Sequence, residues 1–226
     1  MPTPRTRYTG RLIMIFNLHQ ITNHYQMNIG GAIHVGAFVG EELDAYRSLG
    51  LTNTIMFEPQ KTLYEIVKAK CIDDERAYNI ALGSHAHTTE MYISYTEGGV
   101  SNGSGASSSL YRPKKHLTEH PHVKFNSKEE VRVECLDDFL VDNNIDVSGY
   151  NFLNIDVQGY ELEVLAGGIK LLPQIDMAII EVNRDEVYEG CPMVEEIDQL
   201  MNVYGLQREH TFWQSESWGD ALYVRV

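Results

Sequence analysis

Two carboxylates in this 226-residue chain stand where proton chemistry is easiest to build: Asp156 closes the apolar run Phe152-Leu153-Asn154-Ile155, and Glu181 closes Met177-Ala178-Ile179-Ile180. Runs of this kind read as core strands of an open α/β sheet, and such folds gather their ligands at the carboxyl ends of the strands. A carboxylate in that crevice can take a proton from a hydroxyl as a general base. Asp156 is the first candidate, Glu181 the second. With Asn183 just beyond, the same three residues, Asp156, Glu181 and Asn183, form a set of oxygen donors that could hold Mg²⁺ or Mn²⁺. The competing role for Asp156 is to cap a helix expected to begin near Tyr160.

A second constellation lies upstream. Ile33-His34-Val35-Gly36-Ala37-Phe38-Val39-Gly40-Glu41-Glu42 is an apolar strand that breaks into a glycine turn and opens a helix. Gly36 permits the tight turn, and Gly40 lets the helix start close to strand and ligand. Phe38 stands where the middle glycine of a GxGxxG loop would be. Glu58 ends the next strand, in Met56-Phe57-Glu58-Pro59, at the spacing of about 20 residues where Rossmann folds place the carboxylate that accepts both ribose hydroxyls. Taken singly, Gly36 is a turn and Glu58 a solvated strand end; together they specify an unphosphorylated adenosine ribose. A nicotinamide dinucleotide remains an alternative. A loop without its second glycine is poorly made for the close approach of a pyrophosphate, whereas S-adenosylmethionine carries no phosphate and would place its methionine end at the turn.

The elements that must position these groups alternate between short β-branched runs and amphipathic stretches, the pattern of a parallel sheet flanked by helices. Strands are expected at residues 32–35, 54–57, 77–81, 152–155 and 177–182. A helix is expected over 41–49, with Leu43, Tyr46 and Leu49 in helical register and Gly50 as its stop, and another from Pro192 to Gly205. Residues 206–212 and 221–226 read as a closing antiparallel hairpin. Between them runs one irregular region, Gly98-Gly99-Val100-Ser101-Asn102-Gly103-Ser104-Gly105-Ala106-Ser107-Ser108-Ser109 and the basic, histidine-bearing stretch to His122. A long loop inside a compact α/β domain is expected to be a substrate lid, here spanning 98–122. The expected organisation is an arm or leading element over 1–28 and one domain over 29–226.

Composition narrows the function classes. A formal net charge of −14 disfavours a nucleic-acid partner, because phosphate-backbone binding is driven by Lys and Arg displacing counterions. No apolar stretch approaches the roughly 20 residues of a membrane-spanning helix. Cys71, Cys135 and Cys191 show neither CxxC nor CxxH spacing, which argues for a reducing, cytoplasmic setting and against structural zinc. Leu12-Ile13-Met14-Ile15-Phe16, after Arg5, Arg7 and Arg11, lacks a small-residue cleavage site and reads as a first strand or helix.

Taken in order, Val35-Gly36-Ala37-Phe38-Val39-Gly40-Glu41, Phe57-Glu58-Pro59, Ala81-Leu82-Gly83, Leu136-Asp137-Asp138-Phe139, Asn154-Ile155-Asp156-Val157-Gln158-Gly159-Tyr160-Glu161 and Gly167-Gly168 resemble the FkbM family of methyltransferases over roughly residues 29–226. The segment from Ile155 to Leu165 is the most specific part. His34 stands where the family usually has an acid, and Gln158 where Glu is commoner. The resemblance implies a Rossmann-like class I methyltransferase fold, with a mostly parallel sheet, helices on both faces and a C-terminal antiparallel hairpin. It implies S-adenosylmethionine as cofactor, with His34, Gly36, Ala37, Phe38, Gly40 and Glu41 about the methionine end, Glu58 and Pro59 at the ribose, Asn79, Ala81 and Leu82 at the adenine, and Asp156 nearby. His34 is expected to brace the loop by hydrogen bonding. The implied acceptor is a sugar hydroxyl, a deoxyhexose such as rhamnose or fucose in a glycan or glycolipid, touched by Ser108, Tyr111, His116, Gln158, Asn183, Trp218 and Asp220. Tyr111, Trp213 and Trp218 could offer faces for a sugar ring. A small non-sugar metabolite is the alternative acceptor, and a non-catalytic adenosine- or glycan-binding module the alternative class. The arm over residues 1–11 fits either a free enzyme or one module of a larger glycan-building polypeptide.

Overall fold

The computed structural model describes residues 16–226; the strand or helix expected at 12–16 and the basic residues Arg5, Arg7 and Arg11 fall almost wholly outside them. A short helix α1 (Leu18–His24) leads into a seven-stranded sheet. Its strands are β1 (Ala32–Val35), β2 (Thr54–Phe57), β3 (Arg76–Tyr78), β7 (Phe152–Ile155), β8 (Met177–Asn183), β9 (Leu206–Trp213) and β10 (Trp218–Arg225), in the order β3-β2-β1-β7-β8-β10-β9. The first five run parallel, and β10 is inserted antiparallel between β8 and β9. The hairpin expected at the C-terminus is therefore present, with its last strand on the inside.

Alternation along the strands sends side chains to two cores. Ile33, Val35, Ile55, Phe57, Leu153 and Ile155 pack on one face with α5 (Leu136–Asp142), α6 (Glu161–Ala166) and α7 (Val194–Val203). Ala32, Met56, Phe152 and Met177 pack on the other, with Leu18 of α1, with α2 (Leu43–Ser48) and with α3 (Lys61–Lys70). Helices thus cover both faces, which is why the central strands are apolar throughout.

A second sheet of three strands, in the order β4-β6-β5, stands apart: β4 (Ala81–Gly83), β5 (His87–Tyr95) and β6 (Lys124–Cys135). Here the sequence reading needs two corrections. The strand expected at 77–81 is two strands in two sheets, because the chain breaks at Asn79, whose amide donates to the carbonyl oxygens of Glu58 and Pro59 at 3.0 and 2.8 Å. The long strands β5 and β6 were not expected. β6 is charged and exposed for most of its length and shows apolar alternation only at Val131 and Val133. The Gly/Ser region therefore connects two strands of this second sheet, with a short helix α4 (His116–Glu119) before β6.

Candidate active site

Parallel register brings the chemical residues together. Val35 is opposite both Phe57 and Ile155, and Ile155 is opposite Ile180. The residues that follow, Gly36, Glu58, Asp156 and Glu181, therefore emerge side by side at one sheet edge. Gly36 is indispensable there: its φ is +86°, and a Cβ would lie 1.8 Å from the Asp156 carbonyl oxygen. Phe38 keeps the left-handed conformation of the glycine it replaces, with φ +50°, a geometry that costs a non-glycine residue about 1 kcal/mol. Its N–H donates to Glu58 Oε2 at 2.8 Å.

A cavity of about 500 Å³ opens over this edge, walled by Gly36, Phe38, Glu58, Pro59, Ala81, Leu82, Ser108, Asp156 and Gln158, among others. Glu58 is buried, and its Oε1 accepts from the backbone N–H of Gln60 at 2.8 Å. Oε2 is thus held by the Phe38 N–H, and Oε1 by the Gln60 N–H with the Gln60 side-chain amide 3.5 Å away. That arrangement fits a vicinal diol, as in a ribose. Ala81, Leu82 and Ile80 supply an apolar wall suited to a purine face.

A second cavity, of about 930 Å³, is walled by His116, His120, His122, Glu181, Tyr188, Gln214 and Trp218, and meets the first at Gln158 and Ala106, which line both. Gln158 Nε2 donates to Asp156 Oδ1 at 2.7 Å and to Glu181 Oε2 at 2.8 Å. Burial pushes the His116 imidazole down to about 4, and protonation of His120 and His122 would push it the same way. It therefore faces the cavity neutral at neutral pH.

Other sequence-predicted residues lie elsewhere. His34 is buried beneath the sheet edge with its Nδ1 3.0 Å from the Tyr46 hydroxyl, which in turn accepts from Asn154 at 2.9 Å. Ala37 packs in the core on the α2 and α3 face. Gly40, at φ +69°, packs against Leu43 rather than on the cavity wall, and Glu41 also stands off it. Ser108 belongs to the first cavity rather than the second; its Oγ donates to Gln60 Oε1 at 3.2 Å. Tyr111 packs edge-on against Tyr160, with ring centroids 4.9 Å apart. Trp213 lies against the Arg184 guanidinium at 3.4 Å. Asp220 is directly opposite Glu181 in the β8–β10 ladder and accepts from Gln214 at 2.6 Å.

The competing role for Asp156 is not observed: α6 has Tyr160 at its N-cap and no side-chain cap. Glu161, fully buried, accepts from the N–H groups of Val157 and Gly159 at 3.2 and 2.9 Å, and burial pushes its carboxyl upward. The expected metal set is not assembled either. The Gln158 amide fills the span between Asp156 and Glu181, and Asn183 is fully buried with neither amide atom hydrogen-bonded. Among the described residues no group of three or more His, Cys, Asp or Glu is placed to hold a metal ion. Sequence reasoning missed Tyr188, Gln60 and Gln214. Only Gln60, two residues past Glu58, carried a positional signal.

The model of the methyltransferase FkbM domain matches residues 34–212, which takes in the first cavity and the wall of the second except Gln214 and Trp218. The chain belongs to the FkbM methyltransferase family. Among curated relatives, 2-O-methyltransferase NoeI of Sinorhizobium fredii (strain NBRC 101917 / NGR234) is 28% identical over 135 residues, 60% of this chain and 54% of that protein; the match spans about half of the relative's length. Among solved structures, a putative S-adenosylmethionine-dependent methyltransferase from Listeria monocytogenes superposes with TM-score 0.50 at 8% identity, over 93% of this chain and 98% of the other. TrmK of M. capricolum, in complex with S-adenosylhomocysteine, gives TM-score 0.49 at 8% identity over 95% and 70%. The fold of this FkbM domain is that of S-adenosylmethionine-dependent methyltransferases, and the domain is a methyltransferase. No helix among the described residues is long and apolar enough to cross a membrane.

Proposed function

We propose that this FkbM domain transfers the methyl group of S-adenosylmethionine to a sugar hydroxyl. The observation that carries the reading is the junction of the two cavities at Gln158 and Ala106, with Asp156 on one side and Glu181 on the other. When bound, the cofactor supplies an electrophilic methyl carbon on a sulfonium. The protein's part is to hold the acceptor oxygen in line with that carbon, which is chiefly positioning, and to receive a proton from a hydroxyl that is scarcely ionised at neutral pH.

The neutral His116, the Tyr188 hydroxyl and the carboxylate of Glu181 present donors and acceptors to a polyhydroxy ligand, and Trp218 presents an aromatic edge to the same cavity. The 2-O-methyltransferase name of the relative supports an oxygen acceptor. Gly105 and Ser108 wall the first cavity, Ser107 the second and Ala106 both, which supports a lid role for the segment 98–122. Purified protein with labelled cofactor, offered deoxyhexosides, other glycosides and polyketides side by side, tests the reading. Label recovered in a glycoside is expected. Label only in a non-sugar acceptor overturns the substrate class, and no S-adenosylhomocysteine with any acceptor overturns turnover itself.

A further inference from the structure

The Gln158 side chain touches both carboxylates, and it is held more tightly than a wall residue requires. It is 9% exposed, adopts φ +59°, and its carbonyl oxygen accepts from Ser109 Oγ at 2.6 Å. Its Oε1 lies 2.9 Å from the Tyr188 hydroxyl, which shares its proton with the Ser107 carbonyl oxygen at the same distance. Gly159 makes that approach possible: at φ +100°, a Cβ there would come within 3.2 Å of Tyr188 Cβ.

These contacts decide the amide's orientation. A flipped amide would turn its oxygen on two carboxylate oxygens, acceptor against acceptor, so Nε2 faces Asp156 and Glu181. Both Nε2 protons are then used, one on each side of the junction. We propose that Gln158, aimed by Tyr188, is the positioning residue of the transfer, and that it divides the work of the two carboxylates: Glu181 takes the hydroxyl proton, and Asp156 serves the cofactor. The proposal rests on the reading of the two cavities given above.

Asp156 lines the first cavity and Glu181 the second, so the carboxylate that meets an acceptor hydroxyl is Glu181. In the step, an oxygen lone pair forms the new O–C bond, the C–S bond breaks with its electron pair going to sulfur, and the hydroxyl proton passes to a Glu181 carboxylate oxygen and then to solvent. An amide suits the junction because it satisfies one oxygen of each carboxylate without adding charge or a titratable proton. The charged and titratable groups about Glu181 are Asp156 from the end of β7, Asp220 opposite it on β10, Tyr188, and His116, His120 and His122 across the cavity.

The experiment uses the full chain, S-adenosylmethionine and a glycoside that wild type methylates, with four near-isosteric variants whose cofactor affinity is measured by calorimetry. Glu181→Gln should lower kcat by roughly 10²- to 10⁴-fold, the usual contribution of a positioned base, with cofactor Kd unchanged. Asp156→Asn should instead weaken cofactor binding by about tenfold, the scale of one charge-assisted hydrogen bond. Gln158→Glu adds a third negative charge at the junction and should move the acid limb of the kcat/KM profile to higher pH by about one unit. Tyr188→Phe, the mildest change, should move that limb the same way by less while leaving the acceptor KM unchanged. A reversed pattern, with Asp156→Asn losing kcat at unchanged Kd and Glu181→Gln close to wild type, overturns the division of roles. An unmoved acid limb in both Gln158→Glu and Tyr188→Phe overturns the positioning role. A wild type that methylates no glycoside is a failure of the function itself and is separable from both.

Discussion

The two cavities share a wall yet are built by opposite means. The first is delivered by the main sheet: Gly36, Glu58 and Asp156 follow three adjacent parallel strands whose register leaves them side by side. The second is assembled from distant segments, with Glu181 from β8, His116 and His120 from α4 and its end, Tyr188 from the loop after β8 and Trp218 from β10. Backbone ladders fix the position of a strand end to a fraction of an ångström, so the cofactor side depends on glycine geometry and main-chain hydrogen bonds. The acceptor side depends on long-range side-chain contacts such as Tyr188 to Ser107 and Ser109 to Gln158. A domain made this way can hold its first cavity constant while the second changes.

That contrast breaks most sharply at Gly36. Gly36→Ala forces a Cβ to 1.8 Å from a carbonyl oxygen at a φ of +86°, and should destabilise the protein by about 4 kcal/mol or more, among the largest effects of a single substitution. Denaturant titration measures it, and a variant of normal stability would show that the β1–β7 contact does not set the edge. Next in size, Glu58→Ala removes the acceptor for the Phe38 and Gln60 N–H groups along with the expected ribose contact. Cofactor affinity should fall by about 1.5 to 3 kcal/mol; unchanged affinity by calorimetry would remove Glu58 from the cofactor site.

The smallest effect belongs to the acceptor side and appears only in acid. His116 titrates near 4 when folded, against 6.5 as a free side chain, because burial disfavours its charged form. Between those values the unfolded chain binds more protons, so stability falls as pH drops from 6.5 toward 4, by roughly 2 kcal/mol at pH 5. His116 Nδ1 has no hydrogen-bond partner, so His116→Leu loses no bond at that atom. The variant should lose less melting temperature than wild type between pH 7 and pH 5. An equal loss would mean that His116 is not buried in its neutral form.

How far the sequence could be read follows the same division. The glycine turn, the carboxylate after β2 and the carboxylate after β7 were legible because each is a local event, a strand ending in a particular residue at a particular spacing. The strand at 77–81 was misread because apolar composition cannot show where a chain leaves one sheet for another; Asn79, tied to the end of β2, makes that break. β6 was missed because its charged, exposed residues resemble a loop, and β5 because only Met91 and Ser94 of its nine residues are buried. The competing capping role for Asp156 is not taken up, because α6 has Tyr160 at its N-cap and no side-chain cap, while Glu161 at its first position reaches back to the N–H groups of Val157 and Gly159 in the turn before it.

By itself the sequence determined the fold class and the carboxyl-edge groups Gly36, Glu58, Asp156 and Glu181, because periodicity and spacing along the chain are enough to place strand ends in a parallel sheet, and its motifs carried the resemblance to the family. Only the tertiary structure decided that Asp156 and Glu181 face different cavities, that the Gln158 amide stands between them, and that Tyr188 aims it. Tyr188 is 30 residues from Gln158, and Ser107 is 81 residues from Tyr188. Contacts of that length leave no period in the sequence; they exist only once two sheets and the loops over their edge have packed.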